Sequence, residues 1–290
     1  MRWGGRTGLF VQALVACAAL QTLVRVAYLA QELQASQACP LQRDRPPSSL
    51  SRVWPPFRAP SGTEEPHKLT IMLNTFKRRD LVKVFIKHYE QCTDVVDTLH
   101  VVWSEDQSPP TREKDGGDFF SDKMRVWYVA HGNTSLNNRF KPVEGLRTEA
   151  VYSVDDDIYA SCSALARAFE LWKGEPRNIV GFHPRLHVFN GVDDSTDGGC
   201  RYHYPLRLGT VWYHRKFSMV LTKAAVFHRD YLTMYTDHLN YAFREYVDRG
   251  KNCEDIAMQF LIANATGRQP LLAHAYGVED AGQGGAVVGI

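Results

Sequence analysis

Between residues 69 and 182 the chain alternates short apolar runs with stretches of helical spacing. That alternation limits the fold more than any other feature of the sequence. Leu69-Thr70-Ile71-Met72-Leu73-Asn74 reads as a buried strand. Residues 79–92 place Leu81, Val84, Phe85 and His88 at helical spacing, which predicts an amphipathic helix. Leu99-His100-Val101-Val102-Trp103 is a second strand, residues 124–129 a third, and Ala150-Val151-Tyr152-Ser153-Val154 a fourth. Ser108-Pro109-Pro110 and Asp115-Gly116-Gly117 mark a loop between the second and third. A helix over 161–172 and a strand near 179–182 continue the pattern. The prediction is an α/β domain, a Rossmann-like, mostly parallel sheet with helices on both faces. Such sheets bind ligands beyond the C-terminal ends of their strands. Asn74, Ser104, His131 and Asp155 all fall just past predicted strand ends, so one face of the sheet is the expected site.

The chain has 290 residues, 44% hydrophobic and 23% charged, a globular balance with enough length for a substantial core. The net charge of +2 comes with no dense basic stripe, so nucleic acid is excluded as a partner. The N-terminal stretch differs in kind. Arg2 and Arg6 precede an apolar segment over residues 8–24, interrupted by Gln12, Gln21 and Thr22 and closed by Arg25. Its length is marginal for a spanning helix. An uncleaved signal-anchor, a cleaved signal peptide ending near Ala16-Cys17-Ala18 and a soluble amphipathic helix are the three readings, with the anchor preferred. Residues 31–66 are rich in Pro, Ser, Arg and Gln and read as a flexible stem. The expected organisation is therefore a membrane segment over 1–30, a stem over 31–66 and a folded domain over 67–290. Sequons at Asn133-Thr134-Ser135 and Asn264-Ala265-Thr266 favour a luminal domain. Of six cysteines, Cys17 lies in the apolar segment; Cys39, Cys92, Cys162, Cys200 and Cys253 remain, an odd number that leaves at least one without a partner. Their scatter argues against a zinc site.

The fourth strand runs directly into Asp155-Asp156-Asp157. Adjacent carboxylates raise one another's pKa unless a cation joins them. Mn²⁺ and Mg²⁺ prefer carboxylate oxygen and keep positions open for phosphate oxygens. A nucleotide diphosphate carries the complementary charge, so a metal here would bridge the protein and a diphosphate leaving group. Arg78 and Arg139, cations near strand ends, suit paired phosphate contacts. Asp255 begins a predicted helix over 254–264, where an acid is also favoured by the helix dipole alone. Trp212 and Tyr213 read as core aromatics, with stacking on a sugar as the alternative.

Asn133-Thr134-Ser135-Leu136-Asn137-Asn138-Arg139-Phe140, followed by Thr148-Glu149-Ala150-Val151-Tyr152-Ser153-Val154-Asp155-Asp156-Asp157, resembles the core of glycosyltransferase family 64. That family comprises the exostosin C-terminal domains, the exostosin-like proteins and their plant relatives. Asn252-Cys253-Glu254-Asp255-Ile256-Ala257-Met258 resembles its second signature, and Lys216-Phe217-Ser218-Met219-Val220-Leu221 and Val102-Trp103 also fit. The wording of the motifs is nearest the plant-type members. The resemblance covers about residues 69–267. It implies a GT-A-type fold, a Mn²⁺-dependent retaining transfer and a UDP- or GDP-sugar donor. It further implies that Asn74, Arg78 and Ser104 contact the nucleotide, Ser104 standing where the family has Asn. The same motif carries Asn138 and Arg139 into the donor site, Arg139 on the diphosphate side. By the same likeness Asp155 and Asp156 would hold ribose and donor sugar, and Asp157, with Asp155, the metal. Asp255 would lie under the donor sugar near its anomeric carbon, with Glu254 at a position where many members also have an acid.

The implied acceptors are a glycan of heparan type or an inositol phosphorylceramide sphingolipid, with the motif wording tilting to the second. The implied location is the Golgi membrane, as a single-pass type II protein with a luminal domain. The tail departs from the family pattern. Residues 277–290 carry neither the Arg that the resemblance leads one to expect nor a Cys to pair with Cys253. The alternative reading is accordingly a catalytically impaired nucleotide-sugar-binding Golgi protein.

Overall fold

The computed structural model describes Glu65 and residues 67–193, 199–204, 208–283 and 286–287. The predicted membrane segment and, Glu65 aside, all of the predicted stem lie outside the described residues. Among the described residues no helix is long and apolar enough to cross a membrane.

The first βα units form where the periodicity placed them. Strand β1 (Leu69–Thr75) leads into helix α1 (Arg79–Tyr89), then β2 (Val96–Trp103). A short helix α2 (Arg112–Asp115) and a 3₁₀ turn (Gly117–Phe119) occupy the predicted loop, followed by β3 (Arg125–Ala130). A 3₁₀ helix (Leu136–Phe140) precedes β4 (Ala150–Asp155), β5 (Ile158–Ala160) and helix α3 (Cys162–Gly174). Beyond them come β6 (Val180–Gly181), β7 (Pro184–Arg185), helix α4 (Leu208–His214), β10 (Met219–Val220) and β11 (Ala224–His228). Helices α5 (Asp230–Asp237), α6 (Tyr241–Gly250) and α7 (Glu254–Thr266) follow, with β12 (Leu271–Leu272), β13 (Val278–Asp280) and β14 (Ala286–Val287). The smaller of two compact units contributes one described hairpin, β8 (Val188–Asp193) and β9 (Gly199–His203), in which His187 meets Tyr202 edge-on.

The central sheet has seven strands in the order β12-β6-β11-β4-β1-β2-β3. β1 pairs parallel with both β2 and β4, and β2 parallel with β3. The chain thus builds outward from β1 through β3 and returns on the other side of β1 with β4. That reversal opens a crevice at the C-terminal ends of β1 and β4, where open α/β sheets bind their ligands. β11 is the antiparallel strand, pairing with both β4 and β6. Spacing alone gave no sign of it.

Alternation along the strands divides the core in two. Leu69, Ile71 and Leu73 face one side with Leu99, Val101, Tyr152 and Val154, packed against α1 and α3. Met72, Val102, Val151 and Phe227 face the other, under α5 and α7. Helices on both faces are therefore observed. The stripe of α1 is not the one expected, however. The buried residues are Val82, Phe85, Ile86 and Tyr89, while Val84 is 54% exposed. The i, i+3, i+4, i+7 set starting at Val82 carries two β-branched side chains and a tyrosine into the core, a larger apolar area than the set starting at Leu81. Tyr213 is not a core aromatic either: it is 45% exposed at the end of α4, edge-on to His214, while the Trp212 side chain lies outside the described ones.

Cys92, just after α1, is joined to Cys162 at the start of α3. Cys253 is a free thiol, so the cysteine left without a partner by the odd count has a place. The Cys39 and Cys200 side chains are outside those described.

Candidate active site

Register fixes the first part of the site. Asn74, next to last in β1, lies opposite Asp155 at the end of β4. The following residue, Thr75, donates its hydroxyl to Asp156 Oδ2 at 2.7 Å. Arg78 opens helix α1 and reaches back over the acidic turn, with Nη2 at 2.8 Å from Asp156 Oδ1 and Nη1 at 3.1 Å from Asp157 Oδ2. Asp156 is fully buried, and burial raises its carboxyl to about 6 against the opposing effects of Thr75 and Arg78. Asp157 stays 22% exposed at the side chain, the most open position among the acids bound by Arg78.

Arg139 organises the second part. It sits in the Leu136–Phe140 3₁₀ turn, almost completely buried. Its Nη2 lies 2.8 Å from Asp155 Oδ1 and donates to Ser153 Oγ and to the Thr222 carbonyl, while Nη1 donates to Glu254 Oε1 at 3.2 Å. Burial works against the guanidinium charge, but Asp155, Glu254 and Asp255 outweigh it and raise its pKa. One buried cation thus ties the acidic triple at the end of β4 to the acidic pair at the start of α7, which begins 115 residues after Arg139. Glu254 and Asp255 both have raised carboxyls, chiefly through burial, and Arg139 lowers each of them in part. Asp255 Oδ1 also accepts the Ile256 N–H at 2.7 Å. Cys253, just before this pair, adopts a left-handed backbone that turns the chain into the helix.

A third cluster lies past β2 and β3. Asn138 Nδ2 donates to Ser104 Oγ at 3.0 Å and to the Asn133 carbonyl and side-chain oxygens. Asn138 Oδ1 and His131 Nε2 are buried without a hydrogen-bond partner. Buried polar atoms of this kind are costly unless something supplies the bond, so this edge has unused hydrogen-bonding capacity.

The structure brings together Asn74, Arg78, Asp155, Asp156, Asp157, Arg139, Glu254 and Asp255, and it places Ser104 and Asn138 against one another beside them. Arg139 and Arg78 are paired with acids rather than held out as free surface cations. Among the described residues no set of three or more His, Cys, Asp or Glu side chains converges as a metal cage. Residues that sequence reasoning missed include Thr75, Ser153, Thr222 and the ion-paired Lys223 and Asp280. Thr75 adjoins a predicted site residue and Ser153 lies within the predicted fourth strand; Thr222, Lys223 and Asp280 depend on β11 and β13. On its outer side α7 lines an apolar groove of about 750 Å³ with α6, bounded by Phe243, Tyr246, Ile256 and Phe260.

The comparisons agree with these motifs. The family model described as the glycosyl transferase family 64 domain matches residues 69–285. A glycosylinositol phosphorylceramide mannosyl transferase 1 from Arabidopsis thaliana is 41% identical over 209 residues, covering 68% of this chain and 60% of that protein. An exostosin-like-3 homolog from Caenorhabditis elegans is 30% identical over 74% of this chain and 24% of its own length. A glucosamine inositolphosphorylceramide transferase 1 from Oryza sativa subsp. indica is 32% identical over 64% of this chain and 23% of its own. The chain therefore spans 60% of the length of the first of these relatives and about a quarter of the other two. With the family model covering both acidic motifs and the sheet that joins them, the chain belongs to glycosyl transferase family 64.

Proposed function

We propose that this protein is a metal-dependent, retaining glycosyltransferase that moves a hexose or N-acetylhexosamine from a UDP- or GDP-sugar to a glycan or sphingolipid acceptor in the Golgi. The observation that supports it best is the junction at Arg139, which draws Asp155 and Glu254 onto one buried guanidinium. In this reading Asn74, Arg78, Ser104 and Asn138 hold the nucleotide. Asp155 and Asp156 hold ribose and donor sugar, with Arg139 beside the diphosphate.

Asp157, with Asp155, would hold Mn²⁺ or Mg²⁺. The residues suit that ion: the available donors are oxygens, both carboxylates are partly open, and such cations commonly take one or two carboxylates and complete their shell with phosphate oxygens and water. When bound, the metal neutralises charge that develops on the departing nucleotide. Asp255 faces the donor sugar, where a carboxylate stabilises positive charge at the anomeric carbon. The sphingolipid acceptor is favoured by the 41% identity to a protein named for inositol phosphorylceramide.

The test is a thermal-shift screen of UDP-, GDP- and CMP-sugars with and without Mn²⁺, on the protein and on Asp157→Ala. Selective binding raises the melting temperature by mass action. Stabilisation by one nucleotide class, dependent on Mn²⁺ and absent from the folded Asp157→Ala variant, is the expected result. No stabilisation by any nucleotide sugar removes the proposal. Binding without measurable sugar transfer leaves the impaired, nucleotide-sugar-binding alternative.

A further inference from the structure

We propose that the segment 278–282 is a working part of the donor site, in which Asp280 and Gly282 are positioning residues for the Asp157 carboxylate; this rests on the reading of Asp157 as a metal-side group. Three observations carry it. The first is in the main chain. β13 pairs antiparallel with β5, with Asp280 opposite Ile158, and the Ala281 N–H donates to the Asp157 carbonyl at 2.9 Å. The segment therefore grips the last acid of the triple directly.

The second observation is a close approach. A methyl group on Gly282 would lie 2.7 Å from Asp157 Oδ2 and 3.4 Å from Asp280 Oδ1. Real carbon–oxygen contacts do not come that near, so the missing side chain at Gly282 leaves the room in which the Asp157 carboxylate sits. Both carboxylates thus border the place that a side chain at Gly282 would take.

The third is what holds the segment down. Asp280 is buried and paired with Lys223 Nζ, with His183 Nε2 at 3.5 Å from the same oxygen. Lys223 directly precedes β11, and its carbonyl accepts the Asp155 N–H at 3.0 Å. One residue thus holds the acidic turn by its main chain and the C-terminal segment by its side chain. A buried carboxylate stripped of its partner is strongly unfavourable, so the segment docks with this pair intact. Asp280 and Gly282 together set both the height of the acidic turn and the place of its open carboxylate.

The experiment uses the full chain. Gly282 does not have a left-handed backbone, so in Gly282→Ala the added methyl displaces the Asp157 carboxylate without straining the chain. Calorimetric titration with UDP and with GDP, each in the presence of Mn²⁺, should show affinity weakened by about 10- to 100-fold, the loss typical of disturbing groups that orient a metal ligand. The melting temperature of the unliganded variant should match the parent's. In a second arm, Asp280→Asn and Lys223→Met should each speed hydrogen exchange at the Ala281 amide by at least about tenfold, since local opening frees that bond. Parent-like affinity in Gly282→Ala, or unchanged exchange at Ala281 in Asp280→Asn, overturns the proposal. A parent that binds neither nucleotide with Mn²⁺ removes the donor-site reading instead. The exchange arm needs no ligand and then decides whether Asp280 seats the segment on the acidic turn.

Discussion

Replacing Arg139 by Met removes a single cation from among three buried or half-buried acids while keeping most of the side-chain volume. In the folded protein Asp155 and Glu254 are its ion-pair partners, at 2.8 and 3.2 Å, and Asp255 adds to the same field. Breaking a buried pair by removing one partner costs about 3–5 kcal/mol, because the remaining charges stay out of water without compensation. For a domain of this size each kcal/mol lowers the melting temperature by about 2–4 °C, so the variant should melt on the order of 10 °C below the parent. The deficit should also depend on pH in a defined direction. Glu254 and Asp255 already have raised carboxyls, and losing Arg139 raises them further. A carboxyl whose folded pKa lies above its unfolded one binds protons more tightly in the folded state, so its penalty is full at high pH and shrinks as pH falls. Urea unfolding at pH 7.5 and 5.5 should therefore show the larger deficit at pH 7.5. Adding Glu254→Gln to Arg139→Met should recover part of it, since the two residues are coupled. A loss under about 1 kcal/mol at both pH values, or one that grows on acidification, would refute Arg139 as the organising cation.

Three further outcomes follow from the same structure. With Asp156 raised to about 6 by burial, the parent takes up a proton there on folding between that value and the ordinary 3.8. Its stability relative to Asp156→Asn should therefore rise by about 1 kcal/mol from pH 7 to pH 5, and a flat or opposite difference in paired melts would show that Asp156 titrates normally. The Cys92–Cys162 bridge closes a separation of 70 residues, so Cys92→Ala with Cys162→Ala should cost about 2–4 kcal/mol in urea unfolding without reductant; an unchanged midpoint would mean that the bridge contributes nothing to stability. Asp255→Asn keeps the shape and loses the charge, so turnover should fall on the order of 10²–10³ with donor affinity nearly unchanged, and parent-like turnover would leave Asp255 as a helix-start acid.

What the sequence made legible was local. β1 and β4 announce themselves as mostly apolar runs because both their faces are buried, and Asp155 falls where such a run ends. Helix α1 was legible as a helix, but its buried stripe was not. Two interleaved apolar sets share Phe85, and the choice between them is made by packing against β1 and β2 rather than by spacing. The antiparallel course of β11 is a tertiary matter, and with it the placement of Thr222 and Lys223 beside the acidic turn. The link from Arg139 to Glu254 spans 115 residues and follows from no local window; the two motifs were associated beforehand by resemblance alone. Asp280 was missed for a related reason. A carboxylate at residue 280 reads as solvated until β13 is laid along β5, which brings Lys223 and His183 to it.

Taken together, the ionisable groups at this edge show where charge is left uncompensated. Asp280 has its carboxyl held well below the ordinary range, by His183 beside it first and then by Lys223, so that part of the edge is electrically satisfied. Asp156, Glu254 and Asp255 all have raised carboxyls, chiefly through burial, which Arg78 and Arg139 offset only in part. Arg78 divides its contacts between Asp156 and Asp157, and Arg139 between Asp155 and Glu254. Asp255 feels Arg139 and Arg185 only through their field, and its carboxyl stays raised. A diphosphate bound with a divalent cation would arrive almost neutral and would offset little of this excess. On the proposed reading the remaining negative field therefore acts on the donor sugar, which acquires positive charge as its bond to the diphosphate breaks. Fixed carboxylates that are short of counter-charge in the resting protein favour that state over the uncharged sugar, and catalysis requires a preference of this kind.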